Sequence, residues 1–160
     1  WIVIQQRINN LQSFNQSWNV YKFGFGTYNQ NFWLGLEQLH QLTKAADYRL
    51  RFEVLLSGIW VSDQYNHFRI NSELEKYSIN VSGYSGITWI FRHNGVMFST
   101  PDQDNSPQKT NCAGKNSNGN WFVNCYCQNV NGRYGSTFYY ALYNAHVAIT
   151  SCRMMIKLNI

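Results

Sequence analysis

Apolar and polar positions alternate in several stretches of the chain, and each alternating stretch predicts a β-strand. Residues 2–8 and 48–54 show this period of two, and so do parts of the segments 65–70 and 77–81. Such alternation is typical of an antiparallel sheet, because one face of each strand is buried while the other meets solvent. The pattern therefore predicts a central antiparallel sheet.

Two short helices are predicted among these strands. The first covers residues 14–22, with Ser13 as its N-cap and glycines after its end. The second covers residues 34–44, where Leu36, Leu39 and Leu42 recur every three residues and so share one inward face. Strands and helices together predict an α+β fold.

From residue 94 to residue 133 the periodic pattern gives way to Asn, Gly, Ser and Asp. A loop region this long inside a compact domain is usually functional or held by covalent cross-links. No repeat or linker divides the 160 residues, and a chain of this length can bury its own core. We therefore predict one domain, with a sheet-and-helix part (1–93), a loop-rich binding part (94–147) and a returning strand (148–160).

The composition indicates an extracellular domain. Charged residues make up 13% and aromatic residues 17% of the chain, whereas charged residues reach about 25% in typical globular proteins. The net charge of +5 comes from scattered Lys and Arg, which argues against nucleic acid as a partner. No apolar run approaches the ~20 residues of a membrane-spanning helix, so no membrane insertion is predicted.

All four cysteines lie in the last third of the chain, and they allow three disulfide pairings. Cys125 and Cys127 could instead be zinc ligands, but their spacing is too short and no paired histidines follow. Disulfides are the favoured interpretation and are typical of secreted proteins. Two glycosylation sequons, at Asn15 and Asn80, agree with secretion.

No enzymatic motif is found. The segment 83–87 approaches G-x-S-x-G but ends in Ile87. The four histidines, His40, His67, His93 and His146, are dispersed, and structural roles are expected for them. We therefore predict that the protein is not an enzyme.

Several strings of residues occur in an order that resembles one known family. They are W-I-V-I-Q-Q-R (1–7), F-W-L-G-L-E-Q-L-H (32–40), H-N-G-V-M-F-S-T-P-D-Q-D-N (93–105), N-C-A (111–113), N-V-N-G (129–132) and R-M-M-I-K (153–157). They resemble the fibrinogen-related domain shared by fibrinogen chains, ficolins, tachylectins, tenascins and angiopoietins. The resemblance implies a fibrinogen C-terminal-like fold, and an N-terminal subdomain that would precede Trp1.

The resemblance also implies a calcium site in the loop-rich part. Its ligands would be the side chains of Asp102 and Asp104 and the backbone carbonyls of Ser106 and Gln108. Alternate side chains of an extended turn can converge on a hard cation such as Ca²⁺. By itself, D-x-D is more typical of a turn with two solvated carboxylates.

The resemblance places a ligand pocket beside a disulfide between Cys112 and Cys125, with a cis peptide bond before Cys125 that aims backbone N–H groups into it. The residues expected to bind ligand are Asn124, Cys125, Tyr126, Tyr140 and Ala141. Tyr126 stands where the family has histidine, and Asn116 where it has an aromatic residue. Alternatively, Tyr139, Tyr140 and Tyr143 simply pack as half-buried aromatics.

With Cys112 and Cys125 paired, an even cysteine count leads us to expect a second disulfide between Cys127 and Cys152. For function, the resemblance implies a secreted, calcium-stabilised domain that binds glycans through acetylated or anionic groups, as in innate recognition. The alternative is an angiopoietin-like or tenascin-like ligand of a cell-surface or matrix protein. Oligomers would form through an upstream segment.

Overall fold

The computed structural model describes residues 1–86, 93–126, 128–142 and 145–160. Within these residues the strands are β1 (Ile2–Arg7), β2 (Phe25–Gly26), β3 (Phe32–Trp33), β4 (Tyr48–Leu56), β5 (Ile59–Ile70), β6 (Ile79–Ser85), β7 (Tyr139–Leu142), β8 (Ala145–Ala148) and β9 (Ser151–Leu158). The helices are α1 (Trp18–Phe23), α2 (Leu36–Ala45) and α3 (Cys112–Asn116), and a 3₁₀ turn covers Glu73–Glu75. Cys127 and Tyr143 lie outside the described residues.

Seven strands form one antiparallel sheet in the order β2-β3-β1-β9-β4-β5-β6. The last strand of the chain lies near the middle of this sheet, where Met155 pairs with Val3 of β1 and Arg51 of β4. Cys152, Met154 and Ile156 alternate along β9 and are buried in the core. The predicted α+β fold with a central antiparallel sheet is confirmed.

The first helix is shorter than predicted. It begins at Trp18 because the hydroxyl of Ser17, not of Ser13, accepts a hydrogen bond from the Val20 N–H. The preceding segment is held in place instead by Tyr21, whose hydroxyl donates to the carbonyl of Phe14 at 2.7 Å. The second helix follows the prediction closely, with its apolar face on β5.

An aromatic cluster holds the loop-rich part against the sheet. Phe98 and Trp121 from the loop-rich part have ring centroids 4.9 Å apart, and Trp121 lies 6.0 Å from Trp33 of β3. The Trp121 indole N–H also donates to the Tyr77 carbonyl at 2.9 Å. The loop-rich part therefore shares the hydrophobic core, and the hairpin of β7 and β8 extends from it.

Among the described residues, no helix has the length and apolar character needed to span a bilayer.

Candidate functional site

The predicted disulfide between Cys112 and Cys125 is present and closes a ring around α3. Asn116 lies within the ring and stabilises it, because its amide donates to the carbonyls of Cys112 at 2.9 Å and Cys125 at 3.1 Å. The helix begins at Cys112 and is preceded by its N-cap Asn111, whose side chain accepts from the Gly114 N–H. Asn116 thus has a structural role. Tyr126, which directly follows Cys125, is exposed to solvent.

Tyr126 is 62% exposed and is oriented by two neighbours. The Lys115 ammonium donates to its phenol oxygen at 3.0 Å and lies 4.7 Å from its ring centre. That hydrogen bond from Lys115 lowers the pKa of the Tyr126 phenol. On the other side, His146 Nε2 donates to the Tyr126 carbonyl at 2.8 Å, and its ring stacks on Tyr139 at 4.3 Å.

These side chains line an open groove with a volume of about 480 Å³. The other lining groups include the hydroxyl side chains Ser136 and Thr137 from the turn before β7. All eight Asp and Glu of the chain lie within the described residues, and none of them lines this groove. We call this surface the Tyr126 groove. It offers a cation, aromatic faces and hydroxyls to a ligand, and so suits carbonyl or anionic groups.

Tyr140 was predicted to bind ligand, and this prediction is wrong. Its side chain is fully buried, and its hydroxyl donates to the carboxylate of Asp63 in β5. Successive side chains of a strand point to opposite faces, so it is the preceding residue, Tyr139, that faces the groove. Ala141 contributes to β7, where it pairs with His146.

The expected cis peptide bond before Cys125 is also wrong. No peptide bond between described residues is cis, and both Asn124 and Cys125 are described. The backbone N–H of Tyr126 is directed at the Asn124 side chain, which accepts it at 2.8 Å. Asn124 therefore shapes an Asx turn and uses the N–H group that was expected to face a ligand.

The predicted disulfide between Cys127 and Cys152 is not formed. Cys127 lies outside the described residues, but Cys152 is a buried free thiol. Its sulfur lies 3.5 Å from the Val130 carbonyl oxygen and 3.7 Å from the Gln5 amide oxygen. As a core-facing residue of β9, Cys152 is directed into the protein interior, and burial raises the pKa of its thiol to about 12.

The predicted calcium loop brings Asp102 and Asp104 to the surface. One carboxylate oxygen of Asp102 accepts from the Trp18 N–H at 2.9 Å and the Thr100 hydroxyl at 2.7 Å. One oxygen of Asp104 accepts from the N–H and hydroxyl of Ser106, at 3.0 and 2.7 Å. The second oxygen of each carboxylate has no hydrogen bond to any described residue.

This loop has donors that suit a hard cation, since two carboxylate oxygens and nearby carbonyls are the ligand type Ca²⁺ prefers. No group of three or more His, Cys, Asp or Glu converges among the described residues. A site here would therefore depend on backbone oxygens. Of the two predicted carbonyl donors, Ser106 is half-buried and Gln108 is exposed.

The two glycosylation sequons differ in accessibility. Asn15 is exposed before α1. Asn80 lies within β6, and the amide nitrogen that would carry a glycan donates to the Asn71 side chain at 2.9 Å. The surroundings of Asn15 therefore suit modification better than those of Asn80.

Most residues of the Tyr126 groove were not predicted from the sequence as binding residues, among them Lys115, Tyr139 and His146. Lys115 lies inside the disulfide ring, and its position between the two cysteines is a signal that could have identified it. Tyr139 and His146 are brought together by the hairpin of β7 and β8. No sequence pattern marks that pairing.

Comparison with known proteins agrees with this fold. Residues 1–151 match the family model for the C-terminal globular domain of fibrinogen beta and gamma chains. The chain is 36% identical to the protein scabrous of Drosophila melanogaster over 163 residues, which is 98% of this chain and 20% of scabrous. The chain thus spans about a fifth of that relative.

Two solved structures are similar over almost the whole chain. The fibrinogen-like globe domain of human ANGPTL2 superposes with a TM-score of 0.91 at 32% identity, covering 99% of this chain and 80% of that domain. Lamprey fibrin D-dimer, complexed with the peptide ligand Gly-His-Arg-Pro-amide, gives 0.85 at 26% identity, covering 96% of this chain and 60% of that one.

Fibrinogen-like relatives of this kind are secreted extracellular proteins. Their fibrinogen-related domains recognise ligands and are not enzymes. With the family model covering 151 of 160 residues, the chain belongs to the fibrinogen C-terminal domain family.

Proposed function

We propose that this chain is a secreted recognition domain that binds glycans through acetyl or anionic groups at the Tyr126 groove. The observation that carries the proposal is the composition of the groove. Lys115 and His146 flank an exposed tyrosine, hydroxyl side chains stand nearby, and none of the eight acidic residues takes part.

Each of these groups has a counterpart on a glycan. Aromatic faces such as the Tyr139 ring pack against the apolar side of a sugar, while Lys115 and the hydroxyls can bind an acetyl carbonyl or a carboxylate. A volume of about 480 Å³ lies within the roughly 300–1,000 Å³ typical of small-molecule sites. Binding of this kind would suit a role in innate recognition.

We propose that calcium binds the loop of Asp102 and Asp104 and stabilises the domain. Asp102 already joins this loop to the start of α1 through the Trp18 N–H. A cation held by both carboxylates would reinforce that connection and reduce the repulsion between them. The groove and the calcium loop are linked through the disulfide ring, because Gln108 donates to the Val123 carbonyl at 3.2 Å.

A protein or peptide partner is the second candidate. The similar lamprey fibrin structure contains a peptide ligand, and an exposed aromatic residue such as Tyr126 is the type that dominates many protein interfaces. The peptide Gly-His-Arg-Pro-amide carries cationic groups, which Lys115 would repel. No acidic residue lines the groove to attract them.

NMR titrations of the intact chain distinguish the two candidates. The ligands are added in separate titrations: N-acetylglucosamine, N-acetylneuraminic acid and Gly-His-Arg-Pro-amide. We expect an acetylated sugar to shift the backbone signals of Lys115 and Tyr126, and Tyr126→Ala to weaken binding at least about tenfold. Tyr28→Ala is the matched control, since Tyr28 is 63% exposed outside the groove. Binding of the peptide alone would favour the second candidate, and no shift with any probe would contradict the glycan proposal.

A further inference from the structure

A second groove has a buried arginine at its floor. Arg7, the last residue of β1, is 2% exposed. Its Nη1 atom donates to the carbonyls of Val130 at 3.3 Å and Gly132 at 2.9 Å. Three aromatic rings surround the guanidinium carbon at 4.1, 4.7 and 5.0 Å from their centres; they belong to Phe14, Phe138 and Tyr134.

The charge of Arg7 has no anionic partner among the described residues. All eight Asp and Glu belong to the described residues, and none forms an ion pair with Arg7. Its Nε atom is buried without an acceptor, and Nη2 makes no hydrogen bond to any described residue. The nearby thiol of Cys152 is not a counterion, because burial raises its pKa to about 12.

This situation is energetically unusual. A buried ion loses its hydration, which is unfavourable unless charges and hydrogen bonds compensate. Burial accordingly lowers the pKa of Arg7, although a guanidinium stays protonated at physiological pH. Carbonyl oxygens and ring faces compensate in part. An anion that reached the guanidinium would be attracted strongly, since screening is weak inside the protein.

The groove above Arg7 has a volume of about 320 Å³. Arg133 stands at its rim, with Nε 3.4 Å from the Ser136 hydroxyl. Amide side chains of Asn10 and Gln12 form part of the wall, and no acidic residue takes part. We call this surface the Arg7 groove. Its lining ends at Tyr134 in this part of the chain, whereas the lining of the Tyr126 groove includes Gly135 to Phe138.

We propose that the Arg7 groove is a separate binding site for one acidic sugar unit, whose carboxylate or sulfate lies between Arg7 and Arg133. Guanidinium groups bind both oxyanions with paired, charge-assisted hydrogen bonds. The amide side chains of the wall donate and accept, which matches the hydroxyls of a sugar. An acidic peptide could supply the same anion, and equally tight binding of such a peptide would count against a sugar ligand. The volume corresponds to about one or two sugar rings.

The test uses NMR of the intact chain, observing the Arg7 Nε–H signal during titration with glucuronate, glucose 6-sulfate, glucose, sulfate ion and an Asp-containing tetrapeptide. We expect the signal to shift with at least one acidic sugar and not with glucose. A shift with glucuronate identifies a carboxylate ligand, and a shift with glucose 6-sulfate a sulfated one.

Arg133→Gln should weaken acidic-sugar binding at least about tenfold, because it removes a charged donor from an exposed position that the fold does not require. Lys157→Gln, a change of equal charge on exposed β9 surface, is the matched control and should alter affinity less than about twofold. Arg7→Lys changes the guanidinium itself. If circular dichroism shows that this variant folds, its affinity for the acidic sugar should also be lower than that of the wild type.

The proposal is overturned if no acidic sugar shifts the Arg7 signal, if Arg133→Gln and Lys157→Gln weaken binding equally, or if sulfate ion or the tetrapeptide binds as tightly as the acidic sugars. The inference does not rest on the Tyr126 groove. Tyr126→Ala should leave binding at Arg7 unchanged, so each site can fail independently of the other.

Discussion

The hydroxyl of Tyr140 in β7 donates a hydrogen bond to the carboxylate of Asp63 in β5, and both side chains are buried. Asp63 also accepts from the Tyr84 hydroxyl at 2.7 Å. Burial is the main reason that the pKa of Tyr140 is raised well above its usual value, and the adjacent carboxylate adds to this. The contact connects the β7–β8 hairpin, which carries the Tyr126-groove residues Tyr139, His146 and Ala148, to the central sheet.

We expect Tyr140→Phe to lower the free energy of unfolding by about 1–3 kcal/mol, because a buried carboxylate loses one of its donors. Urea denaturation measures this loss. Tyr126→Phe is the control: it removes an exposed phenol and should change stability by less than about 0.5 kcal/mol. Equal effects of the two substitutions would contradict the assigned role of Tyr140.

Cys152 is predicted to remain a thiol that reacts only when the protein unfolds. Its burial and its raised pKa both suppress the thiolate that alkylating reagents attack. Iodoacetamide should therefore label Cys152 slowly in native buffer and completely in denaturant. Peptide mapping of the unreduced protein should show Cys112 bonded to Cys125, and a disulfide that includes Cys152 would refute this prediction.

If calcium binds at the proposed loop, it should raise the melting temperature in proportion to the logarithm of its concentration above the dissociation constant. The double variant Asp102→Asn, Asp104→Asn keeps the hydrogen-bond acceptors but removes both charges, and should abolish the increase. Asp47→Asn, an exposed carboxylate outside the loop, is the control and should retain it. A full calcium response in the double variant would exclude this loop as the site.

His93 is expected to make stability depend on pH. It lies with Phe52 and Trp121 around a small cavity, and burial lowers its pKa from 6.5 to about 4. Between these two values the unfolded chain binds a proton that the folded chain does not. Stability should therefore fall as pH decreases from about 6.5 to about 4, by up to roughly 3 kcal/mol.

Denaturation curves of His93→Gln at several pH values test this dependence. The variant should lose less stability than the wild type over the same range, because glutamine does not titrate. His67→Gln removes an exposed histidine instead and should keep most of the wild-type slope. An unchanged slope in His93→Gln would show that other groups cause the dependence.

Much of the fold follows from local sequence patterns. Alternation along residues 48–54 reflects a strand with one buried face, and the three-residue spacing from Leu36 reflects the inward face of α2. The ordered family motifs added the disulfide between Cys112 and Cys125, which borders the Tyr126 groove. These features could be predicted because they depend on residues close together in the chain, or on strings that are specific as a set.

The errors share one physical origin. A tyrosine pair such as Tyr139 and Tyr140 gives no local signal of which ring faces solvent, because one step along a strand reverses the face. The start of α1 was misplaced for a similar reason, since Ser13 and Ser17 are equally suitable caps. The choice between the two serines is determined by the burial of Phe14 and by the hydrogen bonds that Ser17 and Asp102 accept from the first turn of the helix.

By itself the sequence determined the family, the class of fold, the central sheet and one disulfide, because periodicity and ordered motifs are properties of the linear chain. Tertiary structure alone decided that Cys152 is a buried thiol, that His146 meets Tyr126, and that Arg7 lacks an acidic partner. Each of these depends on contacts between residues 20 or more positions apart. The burial and pairing of a polar group are set by such distant neighbours, which the local pattern does not specify.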